Sequence, residues 1–176
     1  MDVDFWEVVE KRHSVRHFDA ARDVPPETVR RILAAAIRAP SAGNRQPWHF
    51  FVVRNPETKR KLAAAAWGQE FVAQAPVVIA VCADPDRSAA RYGRRGAELY
   101  CLQDTAAATE HILLAATALG LGACWVGAFD EGAAARALQL PSRLRPVALV
   151  PIGHPAERSW WPTPRRPLTE VVSFVE

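Results

Sequence analysis

The chain has 176 residues, which suits one domain with one hydrophobic core and leaves little room for a second. Apolar residues make up 49% and charged residues 23%, the balance of an ordinary globular protein, and no apolar run approaches the ~18 residues of a membrane span. The first residues are acidic and precede no apolar run, so we expect no signal peptide and a cytoplasmic protein. Residues 1–176 are predicted to form a single domain.

The formal net charge is +3, and only three of the 22 basic residues are lysines, which leaves nineteen arginines. This mild excess does not predict nucleic-acid binding, because the chain has no basic stripe interleaved with aromatic residues and no known nucleic-acid-reading motif. The positions of the arginines are more informative. They cluster at Arg12/Arg16, at Arg91/Arg94/Arg95 and at Arg158/Arg165/Arg166.

The cysteines and histidines predict neither disulfides nor a metal site. Cys82, Cys101 and Cys124 lie in apolar settings without a CxxC pair, so we expect three reduced, buried thiols. His13 and His17 are four residues apart but lack a third ligand, and no metal is expected.

The first part of the chain predicts two helices and a strand. A short helix is expected from about Asp4 to Lys11. A longer one begins at Pro25-Pro26-Glu27 and stops by Pro40, with apolar residues at the i, i+3, i+4, i+7 spacing of a buried stripe. Aromatic and β-branched residues predict a strand over Trp48–Val53.

The middle of the chain contains the longest predicted helix. A helix over roughly Glu57–Ala66 comes first, and the continuous apolar run Val77–Cys82 predicts a strand buried on both faces. Ala83–Gly96, rich in Asp, Pro and Arg, is expected to be a loop. The long helix is predicted from about Ala97 to Leu119. Its buried stripe is expected to be Leu102, Ala106, Thr109, Leu113, Ala116 and Leu119.

The last part of the chain predicts two more strands and a tail. Strands are expected over Ala123–Gly127 and Val147–Gly153, with a helix near Glu131–Leu138 between them. The fold class is therefore α+β, with about four strands and an unusually apolar central helix. Beyond His154 the chain is rich in Pro, Arg and Trp, and Leu168–Val175 is apolar again. Such a tail cannot form its own core, so we expect it to pack on another subunit.

The first candidate site is the segment Arg12-His13-Ser14-Val15-Arg16. Because Arg12 and Arg16 are four residues apart, a continuing helix would bring both guanidinium groups to one side, with the Ser14 hydroxyl between them. Two planar guanidinium groups and a hydroxyl suit the oxygens of a phosphate. The alternative interpretation is a solvated basic helix end.

The second candidate site is the segment Ala39-Pro40-Ser41-Ala42-Gly43-Asn44-Arg45-Gln46-Pro47-Trp48. Its small residues would let a flat ligand approach the backbone, and Asn44 and Gln46 supply amide donors and acceptors for a heteroaromatic edge. The alternative is an ordinary loop between a helix and a strand.

No motif for a protein nucleophile or a dinucleotide fold is present. Gly120-Leu121-Gly122 lacks the third glycine of the GxGxxG fingerprint and follows a helix, so it more simply ends that helix. There is no P-loop, no GxSxG elbow and no spaced carboxylate pair. We identify no catalytic protein residue and assign the chemistry to a cofactor.

Taken together and in this order, the segments resemble the nitroreductase family of flavoproteins. The matching segments are Arg12–Arg16, Pro40–Phe50, Ala118–Gly127 and Arg165–Val172, and the likeness covers nearly the whole chain. The resemblance implies a three-layer α/β/α sandwich with a mostly antiparallel central sheet. It also implies an intertwined homodimer with one FMN per subunit at the interface.

The resemblance further implies which residues hold the FMN. Arg12, Ser14 and Arg16, with His13 beside them, would bind its phosphate and ribityl end, helped by Arg165 or Arg166. The partner chain would supply Pro40, Ser41, Ala42 and Asn44, with Gln46 nearby. The segment Trp125, Val126, Gly127 and Ala128 would lie along the isoalloxazine ring.

The implied activity is a ping-pong oxidoreduction. NADH or NADPH would reduce FMN and leave, and a nitroaromatic, quinone or similar organic acceptor would then be reduced in the same space. The chain is short for the family, so the excursion that often covers the flavin is reduced to Ala83–Gly96. Gly127 also stands where some nitroreductases carry an acidic residue.

Three other functions are considered. A flavin-dependent dehalogenase or flavin-fragmenting enzyme would use the same fold but a dedicated lid. A flavin-binding protein would hold FMN without turnover. A basic nucleic-acid-binding domain would show strongly salt-dependent binding and no chromophore.

Overall fold

The computed structural model describes residues 4–156 and 163–175, so Arg158 of the third arginine cluster lies outside the described residues. The helices are α1 (Phe5–Lys11), α2 (Pro26–Ala36), α3 (Pro56–Ala65), α4 (Phe71–Gln74), α5 (Pro85–Arg95), α6 (Cys101–Ala118), α7 (Glu131–Leu138) and α8 (Leu168–Val171). The strands are β1 (Trp48–Val53), β2 (Val77–Ala83), β3 (Gly122–Ala123) and β4 (Arg145–Gly153). No helix in the described ranges has the length and apolar character needed to cross a membrane.

The four strands form one antiparallel sheet in the order β1-β2-β4-β3. Every residue of β2 is buried, because the strand has neighbours on both edges and side-chain layers on both faces. The α+β prediction is confirmed, and so is the prediction of strands near 48–53, 77–82 and 147–153.

Alternate residues of β2 belong to two separate cores. Val77, Ile79 and Val81 pack with α2 and α6 on one face of the sheet. Val78 and Ala80 pack with α3, α4 and α7 on the other face. Helices therefore cover both faces, as the two-residue alternation of strand side chains allows.

The free edge of β3 continues into the residues that follow α1. Ser14 forms a parallel bridge with Ala123, and the Val15 amide donates to the Ala123 carbonyl at 2.9 Å. A Cβ on Gly122 would stand 2.7–2.8 Å from the Val15 side chain, closer than real carbon contacts allow. Glycine at 122 is thus what lets this segment reach the edge of the sheet.

The prediction of a loop over Ala83–Gly96 is wrong, because most of it forms α5. The Asp84 carboxylate caps this helix by accepting from the Arg87 amide at 3.3 Å, and Pro85 occupies the first turn. Most of its side chains are exposed and polar, so the sequence lacks the regular spacing of apolar residues that indicates a helix. A π-helical turn, Gly96–Tyr100, then joins α5 to α6, so the helical conformation begins close to the predicted Ala97.

The predicted buried stripe of the central helix is only partly correct. The buried residues of α6 are Cys101, Asp104, Thr105, Ala108, Thr109, Ile112, Leu113 and Ala116. Leu102, Ala106 and Leu119 are only partly buried. Since this helix is apolar nearly all round, the apolar period could not fix which face turns inward.

Two smaller expectations have clear outcomes. The three cysteines are free and buried, as predicted, and burial raises the pKa of the Cys82 thiol to about 12. The strand expected over Ala123–Gly127 is shorter: β3 ends at Ala123, and Val126 rejoins the sheet only through a bridge to Leu149.

The contact at Gly122 predicts opposite effects for two glycine substitutions. Gly122→Ala should lower the free energy of unfolding by about 1–3 kcal/mol, because the new methyl group overlaps the Val15 side chain. Gly132→Ala is the control. It lies in the first turn of α7, where a Cβ would stand 3.3 Å from the end of the Arg136 side chain and 3.4 Å from the capping Asp130 carboxylate, and the higher helix propensity of alanine should stabilise by up to about 1 kcal/mol. Urea unfolding measures both; equal effects would contradict the assignment.

Candidate active site

The residues after α1 form an extended segment instead of the predicted helical continuation. The backbone of Arg12 is extended, and Ser14 pairs with the edge strand. In an extended chain, residues two apart share a face, so Arg12, Ser14 and Arg16 project to one side while Val15 is buried on the other. The three side chains lie on one side, as predicted, but the backbone that places them there is extended instead of helical.

These side chains face a buried thiol at the end of β3. Burial raises the pKa of Cys124, and the positive charges of Arg16 and Arg12 and the Ser14 hydroxyl oppose that rise. Arg12 is mostly shielded and lies 4.0 Å from a Glu110 oxygen on α6. The His13 ring is directed instead toward the backbone of α1, where its Nδ1 lies 2.8 Å from the Lys11 carbonyl oxygen.

The segment after Cys124 remains attached to the sheet at Val126 and is exposed on either side of that residue. Val126 is buried and exchanges both backbone hydrogen bonds with Leu149, whereas Trp125, Gly127 and Ala128 are exposed. Within the described residues, the amides of Gly127 and Ala128 have no hydrogen-bond acceptor. A Cβ on Gly127 would meet only the Trp125 ring at 3.6 Å, so the space beside this backbone is open.

One residue that supports this segment was missed at the sequence level. The Gln69 side-chain amide donates to the Ala128 carbonyl at 3.2 Å and to the Ala66 carbonyl at 3.1 Å. It therefore ties the end of α3 to the segment after β3. A glutamine in a loop carries no periodic or motif signal, so only the tertiary structure could identify it.

The second candidate segment forms a compact loop held by its own polar groups. Ala42–Asn44 make a single 3₁₀ turn after the exposed Pro40. The Gln46 amide donates to the Ser41 hydroxyl at 3.0 Å, and the Gln46 side chain donates to the Asn44 side-chain oxygen at 3.1 Å. Asn44 and Gln46 both have positive φ values, 54° and 51°. This left-handed conformation turns the backbone sharply at both residues.

Gly43 lies against helix α5 of the same chain. Its φ is +53°, and the position of a Cβ is taken by the Tyr92 hydroxyl and, at 3.0 Å, by a terminal nitrogen of Arg91. The absence of a side chain therefore makes room for α5 of the same chain, where we expected it to make room for a flat ligand.

A buried carboxylate on the central helix holds the same loop. The Ala42 amide donates to Oδ1 of Asp104 at 3.1 Å, while Oδ2 is buried and has no hydrogen-bond partner in the described residues. Burial raises the pKa of Asp104, and the hydrogen bond from Ala42 opposes the rise. The sequence analysis missed Asp104, because one acid in an apolar helix resembles a solvated position.

The predicted site residues form separate groups within one chain. Residues 12–16 and 124–128 meet at the sheet edge, but no hydrogen bond among the described residues joins them to the loop 40–46. The tail arginines are exposed: Arg165 donates to the Thr163 carbonyl at 2.9 Å, and Arg166 contacts Glu170 at 3.1 Å. A single protomer therefore does not assemble the complete predicted site from its described residues.

The sequence profile of the nitroreductase family matches residues 9–69 and 64–154. The chain belongs to this family. A Thermus thermophilus protein named NADH dehydrogenase is 38% identical over 92% of this chain and 91% of its own. An Archaeoglobus fulgidus protein, provisionally named NADH dehydrogenase/NAD(P)H nitroreductase, is 38% identical over 83% of this chain and 82% of its own.

Solved structures of nitroreductase family proteins have the same fold. One from Clostridium novyi NT superposes with a TM-score of 0.80 at 36% identity and covers 88% of this chain and 87% of its own. One from Streptococcus pneumoniae TIGR4 gives 0.89 at 29% identity and covers 98% and 100%. The family matches confirm the resemblance inferred from the motifs, and this nitroreductase family member is an oxidoreductase.

The position of Asp104 in this nitroreductase family protein predicts a pH-dependent stability effect. Since the folded pKa is raised, the carboxylate lowers stability progressively as pH rises from the unfolded value near 3.9 through the folded value. The melting temperature of Asp104→Asn minus that of the wild type should therefore grow between about pH 4 and pH 8. Scanning calorimetry at several pH values measures it.

Controls separate the charge from the hydrogen bond. Asp86→Asn removes an exposed carboxylate and should show no such growth. Asp104→Ala should also speed hydrogen exchange in residues 40–46, since Ala42 loses its acceptor, whereas Asp104→Asn keeps one. A pH-independent difference in melting temperature would contradict the role of the carboxylate charge.

Proposed function

We propose that the protein is an FMN-dependent NAD(P)H oxidoreductase that acts as a homodimer on nitroaromatic, quinone or similar organic acceptors. The observation that carries the proposal is the common face of Arg12, Ser14 and Arg16, placed beside a stretch of unpaired backbone amides at the edge of the sheet. Family membership and the names of the relatives support the reaction class.

The first part of this site fits a phosphate. Two guanidinium groups and a hydroxyl lie on one side of an extended segment, and the only ion pair they make in the described residues is the 4.0 Å contact of Arg12 with Glu110. They retain donors for phosphate oxygens, and charge-assisted bonds of this kind are among the stronger ones. We assign the FMN phosphate to Arg12, Ser14 and Arg16, with Arg165 or Arg166 reaching it from the tail.

The second part of the site fits the edge of a heteroaromatic ring. The amides of Gly127 and Ala128 are exposed donors on a backbone fixed by the bridge at Val126 and by Gln69. Donors held in place in this way stabilise negative charge that develops on a bound ring without reacting themselves. Bound FMN would supply the hydride and electron transfer of a ping-pong cycle between NAD(P)H and the acceptor, while these amides would hold and orient its ring.

A second copy of the chain is expected to complete the site. The loop 40–46 is held to α6 by the hydrogen bond from Ala42 to Asp104, and within the described residues no hydrogen bond joins it to residues 12–16. In a homodimer, Pro40, Ser41, Ala42 and Asn44 of one copy, with Gln46 nearby, would contact the FMN bound by the other. Residues 1–176 as one FMN-binding domain and a cytoplasmic location remain predictions.

Removal of both arginines should abolish flavin retention. Arg12→Ala/Arg16→Ala should weaken FMN binding to the apoprotein by at least about 100-fold, since each lost charge-assisted contact is worth about 1.5–3 kcal/mol. Fluorescence titration of FMN measures the affinity. The wild type should purify yellow, and NADH or NADPH should bleach it.

A matched double variant tests whether the effect is local. Arg30→Ala/Arg60→Ala removes the same charge from exposed helix positions and should keep the wild-type FMN affinity. If both double variants lose FMN equally, the assignment of the phosphate site is wrong. A colourless wild type that also fails to bind added FMN would overturn the proposed function.

A flavin-dependent dehalogenase is the second candidate. A Haliscomenobacter hydrossis protein named iodotyrosine deiodinase is 27% identical over 93% of this chain and 84% of its own. Assay of halotyrosine reduction beside quinone reduction discriminates the two functions. A non-catalytic flavin-binding protein would bind FMN yet oxidise no NAD(P)H with either acceptor.

The apolar tail predicts how the homodimer depends on its last residues. Phe174 and Val175 are 89% and 97% exposed in one chain, an unfavourable state that burial on a partner would relieve. Phe174→Asp/Val175→Asp should shift the chain toward monomer in sedimentation analysis and lower FMN retention.

The control substitutes another exposed aromatic residue. Trp67 is 70% exposed at a φ of +54°, a conformation that asparagine tolerates, so Trp67→Asn should leave the assembly state unchanged. A tail variant that stays dimeric would show that these two residues do not hold the subunits together.

A further inference from the structure

We propose that Arg45, Arg87 and Arg91 form a binding site for the phosphate groups of the nicotinamide dinucleotide donor. These three residues are called the arginine face. The inference rests on the proposed function and adds to it the recognition of the charged part of the donor. Two of the three residues belong to the arginine-rich segment 83–96, which contributes no residue to the proposed FMN site.

Arg45 and Arg87 are held side by side by reciprocal hydrogen bonds. Nε of Arg45 donates to the Arg87 carbonyl at 2.8 Å, and Nε of Arg87 donates to the Arg45 carbonyl at 3.1 Å. Each guanidinium group is thereby anchored through Nε, while its two terminal nitrogens remain available as donors. Anchored guanidinium groups lose less conformational freedom when they bind a ligand.

Arg91 extends the arginine face to the loop that is proposed to contact FMN. One of its terminal nitrogens lies 3.0 Å from the position of a Gly43 Cβ, and its guanidinium carbon lies 5.5 Å from the centroid of the Tyr92 ring. Any side chain at 43 would displace both groups. The loop and α5 are therefore shaped to bring these positive charges next to residues 42–44.

Among the residues that the structure describes, the arginine face has no acidic partner. Of the carboxylates in this region, Asp84 caps α5 and faces Arg143 at 3.6 Å, and Glu98 pairs with Arg94 at 2.7 Å. The exposed Asp86 makes no ion pair within the described ranges. Across the described residues, Arg45, Arg87 and Arg91 have no carboxylate oxygen within 4.0 Å. Three adjacent like charges repel one another, and an anionic ligand would remove that repulsion.

Phosphate is the anion that best matches these groups. Planar guanidinium groups bind phosphate oxygens in pairs, and a dinucleotide brings at least two phosphates into one molecule. The FMN phosphate already has its own cationic residues at 12 and 16, which form no hydrogen bond with the loop 40–46. The exposed Arg87 and Arg91 and the half-buried Arg45 would also attract the anionic donor from solution, an effect that salt weakens.

Donors with and without phosphate test the inference on the FMN-loaded enzyme. NADPH and NADH carry phosphates, whereas 1-benzyl-1,4-dihydronicotinamide presents the same reducing ring without any. In Arg91→Ala, the KM for both dinucleotides should rise about tenfold, the effect of one lost charge-assisted contact, while the benzyl donor should be unaffected. Arg91→Lys should raise the KM for the dinucleotides less than Arg91→Ala does. Higher salt should reduce the difference in KM between Arg91→Ala and the wild type.

Arg94→Ala is the matched control, because it removes the same charge from the same helix but from a residue paired with Glu98. It should leave all three KM values near those of the wild type. FMN affinity, measured in the same variants, should not change. Equal effects of the two substitutions, an effect on the benzyl donor, or weakened FMN binding by Arg91→Ala would each overturn the inference.

Equilibrium dialysis with NADP⁺, which binds without reacting, separates this inference from the proposed function. If the wild type oxidises no donor but binds NADP⁺ through Arg91, the proposed function fails and the anion site stands. If Arg91→Ala binds NADP⁺ as tightly as the wild type, the anion site fails whatever the activity. Loss of duplex-DNA binding by Arg91→Ala, with unchanged NADP⁺ affinity, would assign the arginine face to nucleic acid and overturn the inference.

Discussion

The close contact between Val15 and Gly122 is the constraint on which the candidate site depends. It lets the segment after α1 join the edge of β3, and the pairing of Ser14 with Ala123 then fixes the direction of the neighbouring arginines. Because β3 is only two residues long, the chain beyond it stays on the sheet through the bridge at Val126, while Trp125, Gly127 and Ala128 on either side are exposed. The proposed phosphate end and ring end of the site are thus set by one edge of one sheet.

The buried strands and the residue types of the candidate site could be predicted from the sequence, but the spatial arrangement of those residues could not. Runs such as Val77–Cys82 predict buried strands because strand side chains must match two apolar faces at once. Arg12 and Arg16 were expected to meet through a helical turn, yet they share a face because the chain is extended. Spacing of four residues is compatible with both conformations, so the pattern alone could not choose.

Other features escaped prediction because they depend on contacts between distant parts of the chain. The hydrogen bonds from the Ala42 amide to Asp104 and from the Gln69 side chain to the Ala128 carbonyl join residues about sixty positions apart, and neither has a local pattern. Helix α5 was hidden for another reason. Its helical conformation is set by a capping aspartate and a proline, while its polar surface gives none of the apolar period that marks most helices.

A break at Gly93 sets the direction of α5 relative to the central helix. Gly93 has a φ of 54° and a ψ of −142°, which are not helical values, and three residues later a Cβ on Gly96 would stand 2.5 Å from the Ser88 carbonyl oxygen of α5. A residue other than glycine would strain the backbone at 93 or collide with α5 at 96, and either change would move Arg91 and Tyr92 relative to residue 43. These two glycines are therefore places where a single substitution would change the charge presented beside residues 42–44 without altering the sheet.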